Sequence, residues 1–505
     1  MKIVNIMNFV RYIDERHENS IEEQYNTTRD ELALVNEFGY ENTFLLQYDA
    51  LCSEDYQRLF REEATDKTEI GLWYEIVRPL TDACGMEYRS ECGWSWDWHI
   101  VPGFSMAYTP REREILVDEA MRKFREVFGY YPKTFASWLI DTHTINYLAD
   151  HYDIRAFAIC RDQVSTDAYT LIGGYFNQAY YPSRKNMFTP ASSDAYRVWV
   201  PMFRLLGPCP IHNLESKKYL SEEQKPIHQC FTLEPVYGPG SRPHAVDWFF
   251  RTYFENEDLG FSYAQLGQEN SFGCVCDVLT PLRMQLEKIG QYPDVKIMKM
   301  SDTGDWFVRT YPNGTPATAV VATDNWDTED AAAVVYDSAC YTAHLLRYED
   351  ALILRGLYLF DERVEEAYLE KTCTTFDAVY ENLPIINNLM WHPDNKKAAG
   401  LILDSAATPF VAEKVGDGVL AVRWSGGSIT FCEDAIVIRA ARELTLSLGK
   451  PDVVVEVDRE GIYYLHHGVR YALFIEGGYA QRESDGTIRL IREEEQLVLL
   501  PTCAD

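Results

Sequence analysis

The chain has 505 residues, 46% hydrophobic and 25% charged, with a formal net charge of −31, the balance of a globular protein able to bury a large core. A surface this acidic repels phosphate backbones and anionic headgroups, so neither nucleic acid nor a membrane is expected as a partner. No apolar run approaches the roughly 18 residues that a bilayer-spanning helix needs. The start, MKIVNIMNFVRYIDERHE, lacks an apolar signal segment and a small-residue cleavage site, so the expectation is a cytoplasmic chain whose 12 scattered cysteines are reduced. Cys274 and Cys276 form C-x-C, but no second pair follows at zinc spacing. Aromatic residues are 13% of the chain; most fill a core, and flat rings also suit sugar faces. Composition leaves the oligomeric state open, a homo-oligomer included.

In chain order, the candidate strands are Lys2–Asn8, Thr43–Tyr48, Glu69–Ile76, Thr134–Ile140, Arg155–Cys160, His228–Leu233 and Phe261–Leu266. Helix signals fall between several of them. Thr109, Pro110 and Glu112 make a capping box with proline at the first helical position, and Gly129 closes that helix. Thr280, Pro281 and Gly290 repeat the scheme. Strand–helix alternation argues for a parallel sheet, and seven strands over about 290 residues suit a closed or nearly closed barrel. Leu171–Tyr181 could form a further strand but is read as part of an insertion at about 165–225. After residue 300 the texture changes. Gly416–Gly449 and Val453–Gly478 alternate in period two around glycine turns, as in an antiparallel sandwich. Ser301–Trp326 reads as the crossover. The expected architecture is thus an α/β barrel over 1–300 followed by an antiparallel β-sandwich over 301–505.

In such barrels the reacting groups sit where the strands end. The ends present Asn8 and Arg11, Asp49, Trp73 and Glu75, Asp141 and His143, Arg161 and Asp162, Glu234, and Gln268 with Glu269. Acids from several strands are what a two-carboxylate hydrolase needs. Each acid also has an ordinary reading. Asp141 could only cap the next helix, as could Asp49; Glu75 could pair with Arg78, and Asp162 with Arg161. Glu269 resists such a reading, because it follows an apolar strand and is flanked by Gln268 and Asn270. Trp94, Trp96 and Trp98 share one face if extended, either as core or as a sugar platform, with His99 beside them. Arg204 and His212 lie in the insertion. The 11 histidines contain no pair four residues apart, as metal-dependent polysaccharide deacetylases require, and no Walker loop or G-x-S-x-G elbow appears.

The stretches FSMAYTPRE, VPMFRLLGPCPI, YAQLGQENSF, MSDTGDWF and TDNW resemble a bacterial family of the glycoside hydrolase/deacetylase superfamily found in gut Bacteroidetes and Firmicutes. That resemblance implies a seven-stranded (β/α) barrel and a galactose-mutarotase-like sandwich, and supplies no catalytic residues. Glycoside hydrolase family 57 is a more distant comparison. It has a glutamate nucleophile on strand 4 and an aspartate acid/base on strand 7. By position those roles fall on Asp141 and Glu269, with the residue types exchanged.

The leading expectation is a metal-independent, cofactor-free glycoside hydrolase acting on an oligosaccharide or glycoside. Glu269 and Asp141 are its catalytic pair. Trp73, Glu75, Asp49, Trp98, His99, His143, Asp162, Arg204, Gln268 and Asn270 surround the sugar. Two alternatives stand beside it. A metal-dependent carbohydrate deacetylase would draw ligands from Asp14, His17, Asp49, His99 or His143. A non-catalytic glycan-binding protein would use the sandwich.

Overall fold

A computed structural model describes residues 1–163, 168–212, 231–236, 238–256, 259–387 and 400–503. Among the described residues, seven parallel strands curl into the first half: β1 (Lys2–Val10), β2 (Asn42–Leu46), β3 (Thr68–Trp73), β4 (Thr134–Ala136), β5 (Ala156–Ile159), β6 (Met202–Arg204) and β7 (Ser262–Leu266); an eighth parallel strand, Val295–Met298, pairs with Lys2–Asn5 of β1. The seven run in the order β6-β5-β4-β3-β2-β1-β7. No backbone pairing joins β6 to β7 among the described residues. Side chains span the gap instead: the Leu206 amide donates to Gln265 Oε1 at 2.9 Å, and the rings of Phe203 and Tyr263 stand 5.3 Å apart. The sheet is therefore a curled, incompletely hydrogen-bonded barrel.

The sixth strand differs from the sequence expectation. It lies inside the segment read as an insertion, and it is only three residues long, too short for an apolar run to mark it. Of the expected strand His228–Leu233, residues 228–230 lie outside the described residues, and Thr232 makes only an isolated bridge to Pro208. The third and fourth strands end earlier than expected, at Trp73 and Ala136. Short strands also form at Tyr169–Ile172 and Ala179–Tyr180, near the two ends of Leu171–Tyr181.

Period two explains the barrel interior. On β1, Ile3, Asn5, Met7 and Phe9 alternate with Val4, Ile6 and Val10. Ile3, Met7 and Phe9 join Leu45, Trp73, Ala136, Ala158, Phe203 and Tyr263 in one inner cluster, whereas Val4, Ile6 and Val10 pack outward under the helices. The N-terminal end of the barrel is plugged by the helix Met300–Thr310, in a segment the sequence suggested was mere crossover. Its Met300 and Phe307 complete the inner cluster. Its first amides donate to Thr43 Oγ1 and Glu69 Oε2, both at 3.0 Å. The C-terminal ends of the strands lie on the side opposite this plug.

The helix Pro110–Phe128 carries the expected reciprocal capping box between Thr109 and Glu112, and ends at Gly129 with φ 85°. The helix Leu279–Ile289 is capped differently: Asp277 Oδ1, rather than Thr280, accepts from the Leu279 and Thr280 amides, and Gly290 stays right-handed at φ −61°.

The second half is two antiparallel sheets, one running from Thr318–Ala322 to Gly478–Arg482 and one from Val411–Gly416 to Val454–Val457. In the strand Val419–Trp424, Leu420, Val422 and Trp424 are buried and Arg423 is exposed. Leu345, Leu354 and Leu401 of one sheet share a core with Val422, Ile429 and Leu473 of the other. The strand Ala378–Glu381 pairs in parallel with Tyr169–Ile172, which ties this half to the barrel insertion. Among the described residues no helix is long and apolar enough to cross a membrane.

Candidate active site

The inward file of β1 continues one step past the strand, from Phe9 to Arg11. The same step carries β3 from Trp73 to Glu75 and β7 from Gln265 through Gly267 to Glu269. The three side chains therefore meet over the inner cluster, at the C-terminal ends of the strands. Arg11 Nη1 donates to Glu269 Oε1 at 2.6 Å, while Nη2 and Nε donate to Glu75 Oε2 at 2.9 and 3.1 Å. The indoles of Trp73 and Trp96 donate to that same Glu75 oxygen at 3.0 and 3.3 Å. Trp73 also stacks on Phe9, with ring centroids 4.3 Å apart, and forms the floor. Trp96 is covered by two guanidinium groups, Arg11 at 4.2 Å and Arg16 at 4.6 Å, a favourable contact when desolvated. Arg16 in turn pairs with the buried Asp14 at 2.5 Å. Burial raises the Glu75 carboxyl; Arg11 opposes that shift and the charge of Glu269 adds to it.

Glu269 also accepts from Ser271 Oγ. Its Oε2 takes no hydrogen bond among the described residues. Glu234 lies beside it. Burial first, and then the charge of Glu269, push Glu234 up to about 8, although Arg161 pulls the other way. Its carboxyl takes a hydrogen bond from the Glu269 backbone, and its Oε1 is buried without a hydrogen-bond partner among the described residues. The site thus holds one acid that is protonated at neutral pH, next to a second acid braced by an arginine. Separation of that kind divides two carboxyl groups into a proton donor and a base or nucleophile.

The amides flanking Glu269 are not turned toward it. Alternation sends Gln268 and Asn270 outward, beneath the helix Ser20–Phe38. Gln268 donates to Glu31 at 2.6 Å. Asn270 accepts from the Arg11 amide at 3.0 Å and donates to the Arg11 carbonyl at 2.9 Å. Asn270 therefore fixes the backbone that presents Arg11. Asp49 works similarly: its Oδ2 accepts from the Tyr12 and Ile13 amides at 3.3 and 3.4 Å. Burial lifts this acid to about 6, against the pull of those hydrogen bonds.

The segment 92–99 is not extended, so the tryptophans do not share one face. Trp96 turns inward, whereas Trp94 and Trp98 stay half-buried with ring centroids 5.5 Å apart. His99 stacks on Trp98 at 4.9 Å, and its Nδ1 lies 2.7 Å from Asp97 Oδ1. Trp98 and His99 therefore border the Arg11 cluster through Trp96.

The other expected site residues lie in separate clusters. Asp141 is fully buried and caps the helix Thr142–His151. It accepts from the Thr144 amide at 3.0 Å, Thr144 Oγ1 at 2.7 Å, Ser105 Oγ at 2.5 Å and Arg113 at 2.8 Å. It shares no hydrogen-bond or ionic partner with Glu269 among the described residues. The Asp162 carboxylate pairs with Arg204 at 2.6 Å and its other oxygen accepts from the Gly174 amide, while Arg161 Nη1 donates to the Asp162 backbone carbonyl at 2.6 Å. Arg204 is completely buried and also donates to the Cys160 and Tyr175 carbonyls. His143 faces Glu114 at 3.3 Å. Arg78 donates to the Gly93 and Trp94 carbonyls rather than to Glu75. Sequence reasoning named Arg11 and Glu234 as strand-end residues without giving them roles; the inward file from Phe9 was the available signal for Arg11.

Among the described residues, two groups bring three metal-capable donors together: Glu381 with His466 and His467, and His212 with Asp327 and Glu329. Asp14, His17, Asp49, His99 and His143 belong to neither.

No protein-family model and no curated protein matches the chain. Among solved structures, a Parabacteroides distasonis protein provisionally named a glycoside hydrolase/deacetylase aligns over 78% of this chain and 93% of its own. The identity is 14% and the TM-score 0.56. Two provisionally named polysaccharide deacetylases align less well. The Mycobacterium smegmatis one covers 62% of this chain and 92% of its own, at 14% identity and a TM-score of 0.36. The Pseudomonas aeruginosa one covers 61% and 92%, at 11% identity and 0.37. The first likeness is one of fold, and at such identity no residue role transfers.

Proposed function

We propose that the chain is a glycoside hydrolase whose reacting groups are Glu234 and Glu269. Glu234, protonated at neutral pH, gives its proton to the glycosidic oxygen as the carbon–oxygen bond breaks. Glu269 is the carboxylate that attacks the anomeric carbon or takes a proton from the attacking water. Arg11, counterbalanced by Glu75, holds Glu269 in place. Trp98 offers a half-buried face for a sugar ring, and the His99–Asp97 pair meets a hydroxyl. The observation that carries this reading is the pairing itself, a buried acid raised to about 8, with one oxygen unpartnered among the described residues, beside an arginine-braced acid at the C-terminal ends of the barrel strands. The fold likeness to the Parabacteroides distasonis protein supports the same reading. Asp141 is assigned to helix capping and has no part in the reaction.

The test is hydrolysis of a panel of aryl glycosides and oligosaccharides by the full chain, with Glu234→Gln and Glu269→Gln beside the parent. Loss of turnover in both, with folding intact by circular dichroism, is expected. Full turnover in either variant refutes the pairing.

A further inference from the structure

The strand Ala378–Glu381 ends beside the hairpin of Gly461–His466 and Val469–Glu476. Glu381, His466 and His467 there bring one donor atom each to within 4.8 Å of one another. His466 Nε2 stands 2.9 Å from Glu381 Oε2, and the two imidazole centroids are 3.9 Å apart. Consecutive residues of a strand point to opposite faces; these two do not, because the turn reverses the second. His466 pairs with Val469, which leaves a two-residue turn, His467-Gly468, with φ of 51° and 76°. A turn with both φ positive favours Asn, Asp or Gly at its first position. An imidazole held in that backbone is a strained choice, of the kind that collects at functional sites. The group opens on a cavity of about 370 Å³, lined also by Glu366, Tyr368, Tyr380 and Arg363.

We propose that Glu381, His466 and His467 form a binding site for a divalent transition ion of the zinc class. Two imidazoles and a carboxylate match the ligand preference of such an ion. They supply three positions and leave the fourth to a water facing the cavity. Lys450 Nζ, 3.2 Å from Glu381 Oε2, occupies part of the space the ion needs. Its side chain is long and partly exposed, and it swings outward when the ion enters. The site is independent of the reaction proposed for the barrel.

The experiment is calorimetric titration of the full chain with zinc chloride, after dialysis against EDTA, at about pH 7.5 where imidazoles are neutral. One ion per chain, bound with micromolar or tighter affinity, is expected. His466→Ala and His467→Asn should each weaken binding by about tenfold or more, the order expected when a metal site loses a supporting group. Lys450→Met should tighten it. Asparagine is at home in the turn, so His467→Asn keeps the hairpin folded, and lost binding there reports on the imidazole. A parent that binds no zinc at roughly 100 µM overturns the proposal, because assembled zinc sites bind far more tightly. So does undiminished affinity in the His466→Ala/His467→Asn double variant, which would trace the uptake to the acidic surface.

Discussion

Arg11 and Arg113 are both buried and both hold carboxylates, yet their surroundings differ. Arg113 places all five of its N–H donors: on the carbonyls of Tyr108, Met106, Tyr368 and Lys371, and on Asp141. Asp141 is likewise saturated, with a cap amide, two hydroxyls and the guanidinium around it. At the barrel mouth, Arg11 gives its side-chain bonds to two acids, a third acid stands close by, and Glu234 Oε1 has no partner among the described residues. Buried polar atoms are normally satisfied, so an exception invites a functional account. The comparison teaches that burial and an ion pair mark structure as readily as chemistry. What separates the two clusters is the acids themselves: both Asp141 oxygens are filled, whereas Glu234 keeps one oxygen without a partner among the described residues.

The largest expected effect separates them by rate. Glu234→Gln or Glu269→Gln should lower turnover by about 10²- to 10⁴-fold, the usual contribution of a positioned acid or base. Asp141→Asn should change turnover per folded molecule far less, and steady-state kinetics on refolding-checked protein reads both. Next comes stability. Arg113→Met leaves Asp141 charged and unpaired in the interior, and urea unfolding should show a loss of about 3–5 kcal/mol. An unchanged midpoint would mean that the Arg113 cluster does not hold the fold as described.

A third effect is pH dependence. Burial raises Glu31, Glu234 and Glu366 to about 8, each from a reference value of 4.5, and Asp337 to about 7 from 3.8. A folded-state pKa above the unfolded one means that the folded chain binds protons more tightly. The resulting stability is complete below about pH 4 and is lost as the pH rises through about 7 to 8. Thermal midpoints should therefore fall across that window, and Asp337→Asn should flatten the lower part of the fall. In the rate profile, deprotonation of Glu234 should give an alkaline limb near pH 8. The smallest effect lies away from both clusters: Thr109→Ala breaks the capping box, and chemical denaturation should report about 1 kcal/mol, with turnover unchanged.

Much of the scaffold was legible because it rests on local rules. Short apolar runs marked β1, β2, β5 and β7, and Thr109 with Glu112 announced its helix. β6 was hidden because three residues carry too little pattern, while His228–Leu233 looked more like a strand than Met202–Arg204. The site was legible only in part. The inward file leads to Arg11, Glu75 and Glu269 from sequence alone. The closure of Asp141 was not visible, because two of the carbonyls that complete its arginine's coordination, Tyr368 and Lys371, lie about 255 residues along the chain from Arg113. Nor was the burial of Glu234 visible, since desolvation depends on the assembled mouth.

The most direct measurement is the pH–rate profile of EDTA-treated parent and Glu234→Gln on one hydrolysed glycoside. The account predicts that turnover survives EDTA, falls above about pH 8 in the parent, and is lost in the variant together with that alkaline limb. Turnover abolished by EDTA, or a variant that keeps both the rate and the limb, would contradict a carboxylate pair at the barrel mouth.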